Sequence, residues 1–230
     1  EAGNKNIPGI YIEFKEPWLN PKGFEQIVYD VLANTQDMNI IEKPEPEDTP
    51  FYINNGTVNV GNTNGKVILQ TFSLESLVRV AEVFQGKVPM CFLLWKGTGA
   101  TDITYDDPLG YASFINLGVK YKAHFIGTCI AGAPNNYPEL NQPWQDYLIH
   151  KAGMKNHPYT FDTYDQMAKY FGQYNFGVEI DGKYKAPYLD ALFTNHSDMS
   201  INYMITQGWR KSPASETLVD AKVVLERLGY

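Results

Sequence analysis

Cysteine, histidine, basic residues and long apolar runs are all scarce in this 230-residue chain. Cys91 and Cys129 form no C-x-x-C pair and stand at no zinc spacing with histidine, so a zinc centre is disfavoured and no disulfide is assigned. His124, His150, His157 and His196 are scattered, with no two at metal-ligand spacing. No apolar run approaches the roughly 18 residues needed to span a bilayer, and no signal-peptide pattern opens the chain. Lys and Arg number 19 against 26 Asp and Glu, giving a net charge of -7 without any basic run. Nucleic acid is therefore not an expected partner.

Aromatic residues, by contrast, are plentiful, with 16 Tyr and 12 Phe. Most aromatics pack in cores, but this excess also suits a cleft that handles sugars or polyols. The length fits one large α/β domain.

The stretch GIYIEFKEPW, residues 9–18, carries the most chemistry. Side chains alternate along a strand, so Tyr11, Glu13 and Lys15 share one face and Ile10, Ile12 and Phe14 the other. Read alone, Glu13 and Lys15 are an ordinary ion pair. At the end of a strand the same pair suits a metal-binding carboxylate beside a phosphate-binding ammonium.

Downstream, strand and helix patterns alternate. Asn20 and Pro21 predict a helix start, with Phe24, Ile27, Val28, Val31 and Leu32 as its apolar face. Residues 34–65 lose periodicity and read as an insertion with Asn-Gly turns. KVILQTF is a second strand, and Ser73 caps a helix whose face is Leu77, Val80, Ala81 and Phe84, stopped by Gly86. VPMCFLLW is a third strand, Asp107 with Pro108 starts a helix to about Tyr121, and AHFIGT is a fourth strand. Asn141 opens a helix that ends at Gly153; KNHPYTF is a fifth strand, with a helix from about Thr163 to Phe171. GVEIDGKYKAP reads as an inserted hairpin, LDALFTN as the last strand, and a further helix leads to a break at Gly208. The pattern predicts a parallel sheet of about six strands with helices packed on it. Long loops follow strands rather than precede them, so Glu13, Lys15, Gln70, Trp95, Tyr159 and Thr194 are expected at one mouth.

GIYIEFKEPW, VILQTF with its SLESL helix, FIGT, HPYTF and ALFTN, in that order, resemble the second half of the glycerophosphodiester phosphodiesterases, most closely the longer periplasmic bacterial type. The likeness covers nearly all of residues 8–205. It implies a TIM barrel, here a partial one over residues 1–208, with 209–230 as a C-terminal helix packed on it. It also implies hydrolysis of glycerophosphodiesters to glycerol 3-phosphate and an alcohol, with Ca2+ or Mg2+ as cofactor, and a periplasmic or extracellular location. The resemblance makes Glu13 a metal ligand and puts Lys15 near the phosphate, with Gln70 and Tyr159 in the substrate pocket. Tyr159 stands where many members have Trp, and Asn195 where Asp is more frequent.

The family's two catalytic histidines, in His-Arg-Gly and His-Asp, and two further carboxylates, in a Glu-x-Asp strand, have no counterpart in this sequence. The chain, which starts at Glu1 without Met, is thus expected to be a C-terminal fragment with no catalytic residue of its own and two open sheet edges. His157 is expected to be structural or solvated, and Asp190 a strand-end residue far from Glu13. Two alternatives accompany this reading. One is a non-catalytic polyol- or phosphate-binding module. The other is a glycosidase, which needs a second carboxylate about 5–9 Å from Glu13, and for which Lys15 would lower Glu13's proton affinity.

Overall fold

The computed structural model describes residues 10–34, 67–86, 88–95, 105–180, 183–187 and 189–210, with Glu226 and Gly229. The predicted insertion beyond Asn34 and the C-terminal helix lie outside the described residues. Five parallel strands pair in chain order: β1 (Ile10–Glu13), β2 (Val67–Thr71), β3 (Met90–Leu94), β4 (Phe125–Thr128) and β5 (Lys155–Asn156). Between them run α1 (Phe24–Asn34), α2 (Leu74–Phe84), α3 (Pro108–Lys120) and α4 (Pro143–Lys151). After β5 come α5 (Tyr164–Tyr170), an antiparallel hairpin of β6 (Gln173–Ile180) and β7 (Lys183–Pro187), and α6 (Ser197–Thr206).

The predicted sixth strand adopts no regular strand geometry, yet it extends the sheet. Asp190 N donates to Asn156 O at 2.9 Å, Phe193 N to Pro158 O at 3.0 Å, and Phe161 N to Phe193 O at 2.8 Å. The segment 190–193 therefore runs parallel beside the chain that continues β5.

One face of the sheet carries Ile12, Phe14, Leu69, Phe92 and Ile126, and it packs on helices. Phe14 meets Phe24 of α1 edge-on at 5.9 Å, and Phe92 stacks on Phe114 of α3 at 4.3 Å. The other face carries Tyr11, Glu13, Gln70, Cys91, Leu93, Phe125, Gly127 and His157. In a flat sheet, strands four places apart lie about 19 Å from each other. Yet Tyr11 Oη is 3.1 Å from His157 Nδ1, and the Tyr11 ring is 4.8 Å from that of Phe193. The sheet must therefore curl strongly, with this face inward. Its strand order contains no reversal.

Two predicted helix starts are shifted. α1 begins at Phe24 because Gly23, at φ 96°, keeps the preceding residues out of the helix; Asn20 Nδ2 instead donates to Lys15 O at 2.8 Å. α4 begins at Pro143, since Asn141 turns inward to accept from Thr128 Oγ1 and Asn156 Nδ2. Ser73, Asp107 and Thr163 cap their helices as predicted. The apolar face assigned to α1 is only half used: Leu32 is buried, whereas Ile27 and Val31 are more than half exposed. Both cysteines are buried and free.

Candidate functional site

Glu13 ends β1 beside Gln70 of β2, the two in direct register. Two bonds pin this corner: Phe14 N donates to Gln70 O at 2.8 Å, and Thr71 Oγ1 to Phe14 O at 2.8 Å. Glu16 then takes a left-handed backbone at φ 47°, turning the chain away so that Lys15 stands at the rim. Lys15 Nζ is 3.7 Å from Glu13 Oε2, with 71% of the lysine side chain exposed against 21% of the glutamate's.

The opposite oxygen, Glu13 Oε1, is buried without a hydrogen-bond partner, and so is Gln70 Oε1. Two shielded oxygens on neighbouring strands are thus left without a donor. Burial pushes the Glu13 carboxyl above its ordinary range, and this outweighs the opposing pull of Lys15. The expectation that Lys15 would set the direction is corrected: desolvation sets it. A poorly solvated carboxylate is a good partner for a cation or a proton. Oxygen donors of this kind suit Ca2+ or Mg2+, which take six or more of them. Among the described residues no group of three His, Cys, Asp or Glu converges, so Glu13 and Gln70 fit part of such a shell.

Tyr159 follows β5 and is nearly buried, and its hydroxyl donates to Leu94 O at 2.7 Å. It therefore offers a ring rather than a hydroxyl to any ligand. Phe72, two residues beyond Gln70 on the same face, meets Tyr159 at 5.7 Å and Trp95 at 6.3 Å. Tyr137, from the loop after β4, touches both Trp95 and Tyr159. Sequence reasoning placed Trp95 and Tyr159 at one mouth but missed Phe72 and Tyr137. Phe72 was legible in the strand alternation; Tyr137 lies in a loop without periodicity.

Thr194 accepts from the backbone N–H of His196 and so shapes the entry to α6. Asn195 donates from N and Nδ2 to the two oxygens of Asp162, each at 3.0 Å, and Asn135 Nδ2 adds a 3.4 Å contact. Asp162 and Asn135 were not singled out in the sequence, because their partners lie in distant loops.

Three of the four histidines are committed to partners other than Glu13. His157 is buried, stacked on Phe125 at 4.1 Å, and burial holds its imidazole down at about 4. It is structural, and the alternative of a solvated ring is corrected. His124 is likewise buried and lowered to about 3, and its Nδ1 accepts from Met90 N. His150 lies between Asp146 Oδ2 at 3.1 Å and Asp190 Oδ2 at 2.7 Å. Burial lowers its proton affinity, but the two carboxylates overcome this and raise it to about 9. Asp190 also accepts from Lys155 and from Asn156 N, so it is a strand-start residue bound at the far end, as expected.

Fold and site together define an α/β protein with a curled parallel sheet. A shielded carboxylate and amide, a rim lysine and an aromatic cluster gather at the C-terminal ends of its strands. No family model matches the chain, and no curated protein matches it.

Proposed function

We propose that this chain is the C-terminal part of a TIM-barrel glycerophosphodiester phosphodiesterase and carries the phosphate end of its site. The observation that supports this most is the pair of buried oxygens without partners, Glu13 Oε1 and Gln70 Oε1, in register beside Lys15. The sequential strand order and the inward curl also suit a barrel.

On this reading Glu13 is a ligand of the divalent ion, which when bound withdraws charge from the phosphoryl oxygens. Gln70, Oε1 inward, orients the glycerol hydroxyls or completes the oxygen shell. Lys15, a point charge on an exposed stem, attracts the phosphate and holds it beside Glu13. Buried His157 and carboxylate-bound His150 are not placed for proton transfer to a substrate at Glu13. The general acid and base therefore come from residues other than these, and the isolated chain is expected to be inert.

Burial raises the proton affinity of Glu13, and Lys15 opposes the rise. A glycosidase would need a second carboxylate about 5–9 Å from Glu13, and no such partner is identified among the described residues.

The test is release of choline from glycerophosphocholine in the presence of Ca2+. The isolated chain is expected to release none. The product of the coding sequence extended upstream, with His-Arg-Gly and Glu-x-Asp strands, is expected to turn over and to lose at least about 100-fold in kcat/KM on Glu13→Gln. Turnover unaffected by Glu13→Gln overturns the reading, and a start codon immediately before Glu1 favours the binding module.

A further inference from the structure

The loop that joins β1 to α1 folds back on itself at Glu16–Leu19. Leu19 N donates to Glu16 O at 2.8 Å, and Glu16 enters the turn at φ 47°. Two further bonds fix it: Asn20 Nδ2 donates to Lys15 O at 2.8 Å, and Arg79 Nη1, from α2, to Pro17 O at 3.3 Å. Pro17 is buried, whereas Trp18 and Leu19, next along, stand 72% and 70% exposed. Scattered single apolar side chains on a surface need no explanation, but two neighbours held out on a pinned turn do. Lys15 and Lys22, both exposed, flank them, and Glu16 is the only acidic residue from 15 to 22. With two lysines against one glutamate, the stretch is net positive in a chain of net charge -7.

From this geometry we infer that the turn is a docking site for an anionic lipid surface. Trp18 and Leu19 enter the boundary between head groups and acyl chains, and Lys15 and Lys22 lie against the lipid phosphates. An indole suits that boundary, since its ring is apolar and its N–H can stay wet. Area decides between lipid and protein as the occupant. The two side chains together expose on the order of 300 Å², well short of the roughly 800 Å² that each side of a stable protein interface buries. A fluid surface closes around a small convex tip, whereas a protein needs a matching pocket. The bonds that pin the turn also mean that little chain freedom is lost on docking. Lys15 Nζ is 3.7 Å from Glu13 Oε2, but with 71% of the lysine side chain exposed that pair is weak and leaves the charge open to an anion. Docking of this kind goes beyond the phosphodiesterase reading and stands whether or not Glu13 holds a metal.

Co-sedimentation of the chain with vesicles tests the docking site, using equal parts phosphatidylglycerol and phosphatidylcholine in one set and phosphatidylcholine alone in the other. The mixed vesicles are expected to bind half of the chain at about 1 mM lipid, and phosphatidylcholine alone to bind at least about tenfold more weakly. Trp18→Ala and Leu19→Ala are each expected to weaken binding about tenfold, and Lys22→Gln about fivefold. Trp18→Phe, which keeps an aromatic ring, is expected to stay within about threefold. Leu109→Ala, which removes an apolar side chain 82% exposed at the start of α3, is expected to change nothing. Glu13→Gln is expected to bind vesicles as the wild type does, so failure at Glu13 and failure of docking are read separately. No sedimentation with either vesicle at about 10 mM lipid, equal binding to both, or binding that Trp18→Ala and Leu19→Ala leave unchanged would overturn the docking site. So would a concentration-dependent dimer, seen by analytical ultracentrifugation without lipid, that Trp18→Ala abolishes, since a second copy would then be the occupant. Thermal melts establish that each variant is folded, and Leu19→Ala with Trp18→Phe carries the test should Trp18→Ala fail to fold.

Discussion

At the scale of single residues, Asn195 shows why one atom matters. Its Nδ2 donates to Asp162 Oδ2, and Asp162 as a carboxylate can only accept. An aspartate in that place would set two carboxylates face to face. Asn195→Asp is therefore expected to lower stability by about 1–2 kcal/mol, and Asp162→Asn in the same chain to restore most of it. Denaturant titration of the single and double variants measures both effects. Glu13 obeys a different balance. Its folded-state proton affinity is raised, so its contribution to stability is full below its unfolded pKa and is lost as pH rises through the folded value. At pH 7 the ionised side chain costs stability, and Glu13→Gln is expected to raise the melting temperature there, with the gain fading in acid. Glu13 and Gln70 were legible in the sequence because strand alternation puts them on one face. Asp162 and Tyr137 were not, because nothing local marks the distant loops they meet.

At the scale of elements, the inner face is packed too tightly for change. A Cβ on Gly127 of β4 would lie 2.5 Å from Leu93 Cδ2, and 3.1 Å from both Cys91 Sγ and His157 O. Gly127→Ala is expected to cost about 1–3 kcal/mol by denaturant unfolding. His150 ties α4 to the start of the last sheet segment through Asp146 and Asp190. Its folded pKa of about 9 exceeds the unfolded value of about 6.5. The stability it supplies is complete below about pH 6.5 and is lost as pH climbs to about 9. Asp190, held down to about 2 because His150, Asn156 and Lys155 outweigh its burial, keeps its contribution above about pH 3.9 and loses it below. His150→Ala leaves Asp146 wholly buried without that partner, which is expected to cost about 3 kcal/mol at pH 6. Melts from pH 6 to 9 are expected to show a decline in the wild type that the variant lacks. Helix starts were legible where the cap serves only its own helix, as at Ser73, Asp107 and Thr163. They were misread at Asn20 and Asn141, whose side chains are committed to Lys15 O and to Thr128 and Asn156.

At the scale of the whole molecule, alternation of apolar strands and amphipathic helices sufficed to give a parallel sheet in chain order. Curvature was not written in any one strand. It follows from contacts such as Tyr11 with His157 and Phe193, which join residues 146 and 182 positions apart. That curl turns the ends of separate strands toward one rim, where Glu13, Gln70, Lys15 and the cluster of Phe72, Trp95, Tyr137 and Tyr159 gather. None of the helices in the described residues is long and apolar enough to cross a membrane.

The most direct measurement is a calorimetric titration of this chain with Ca2+, with and without saturating glycerol 3-phosphate. If Glu13 and Gln70 share a cation with a bound phosphate, each ligand must tighten the other by the same factor. Ca2+ is expected to bind measurably only with the phosphate present, and Glu13→Gln to abolish that coupling. A Ca2+ affinity that ignores both the phosphate and the substitution would contradict a shared site at Glu13.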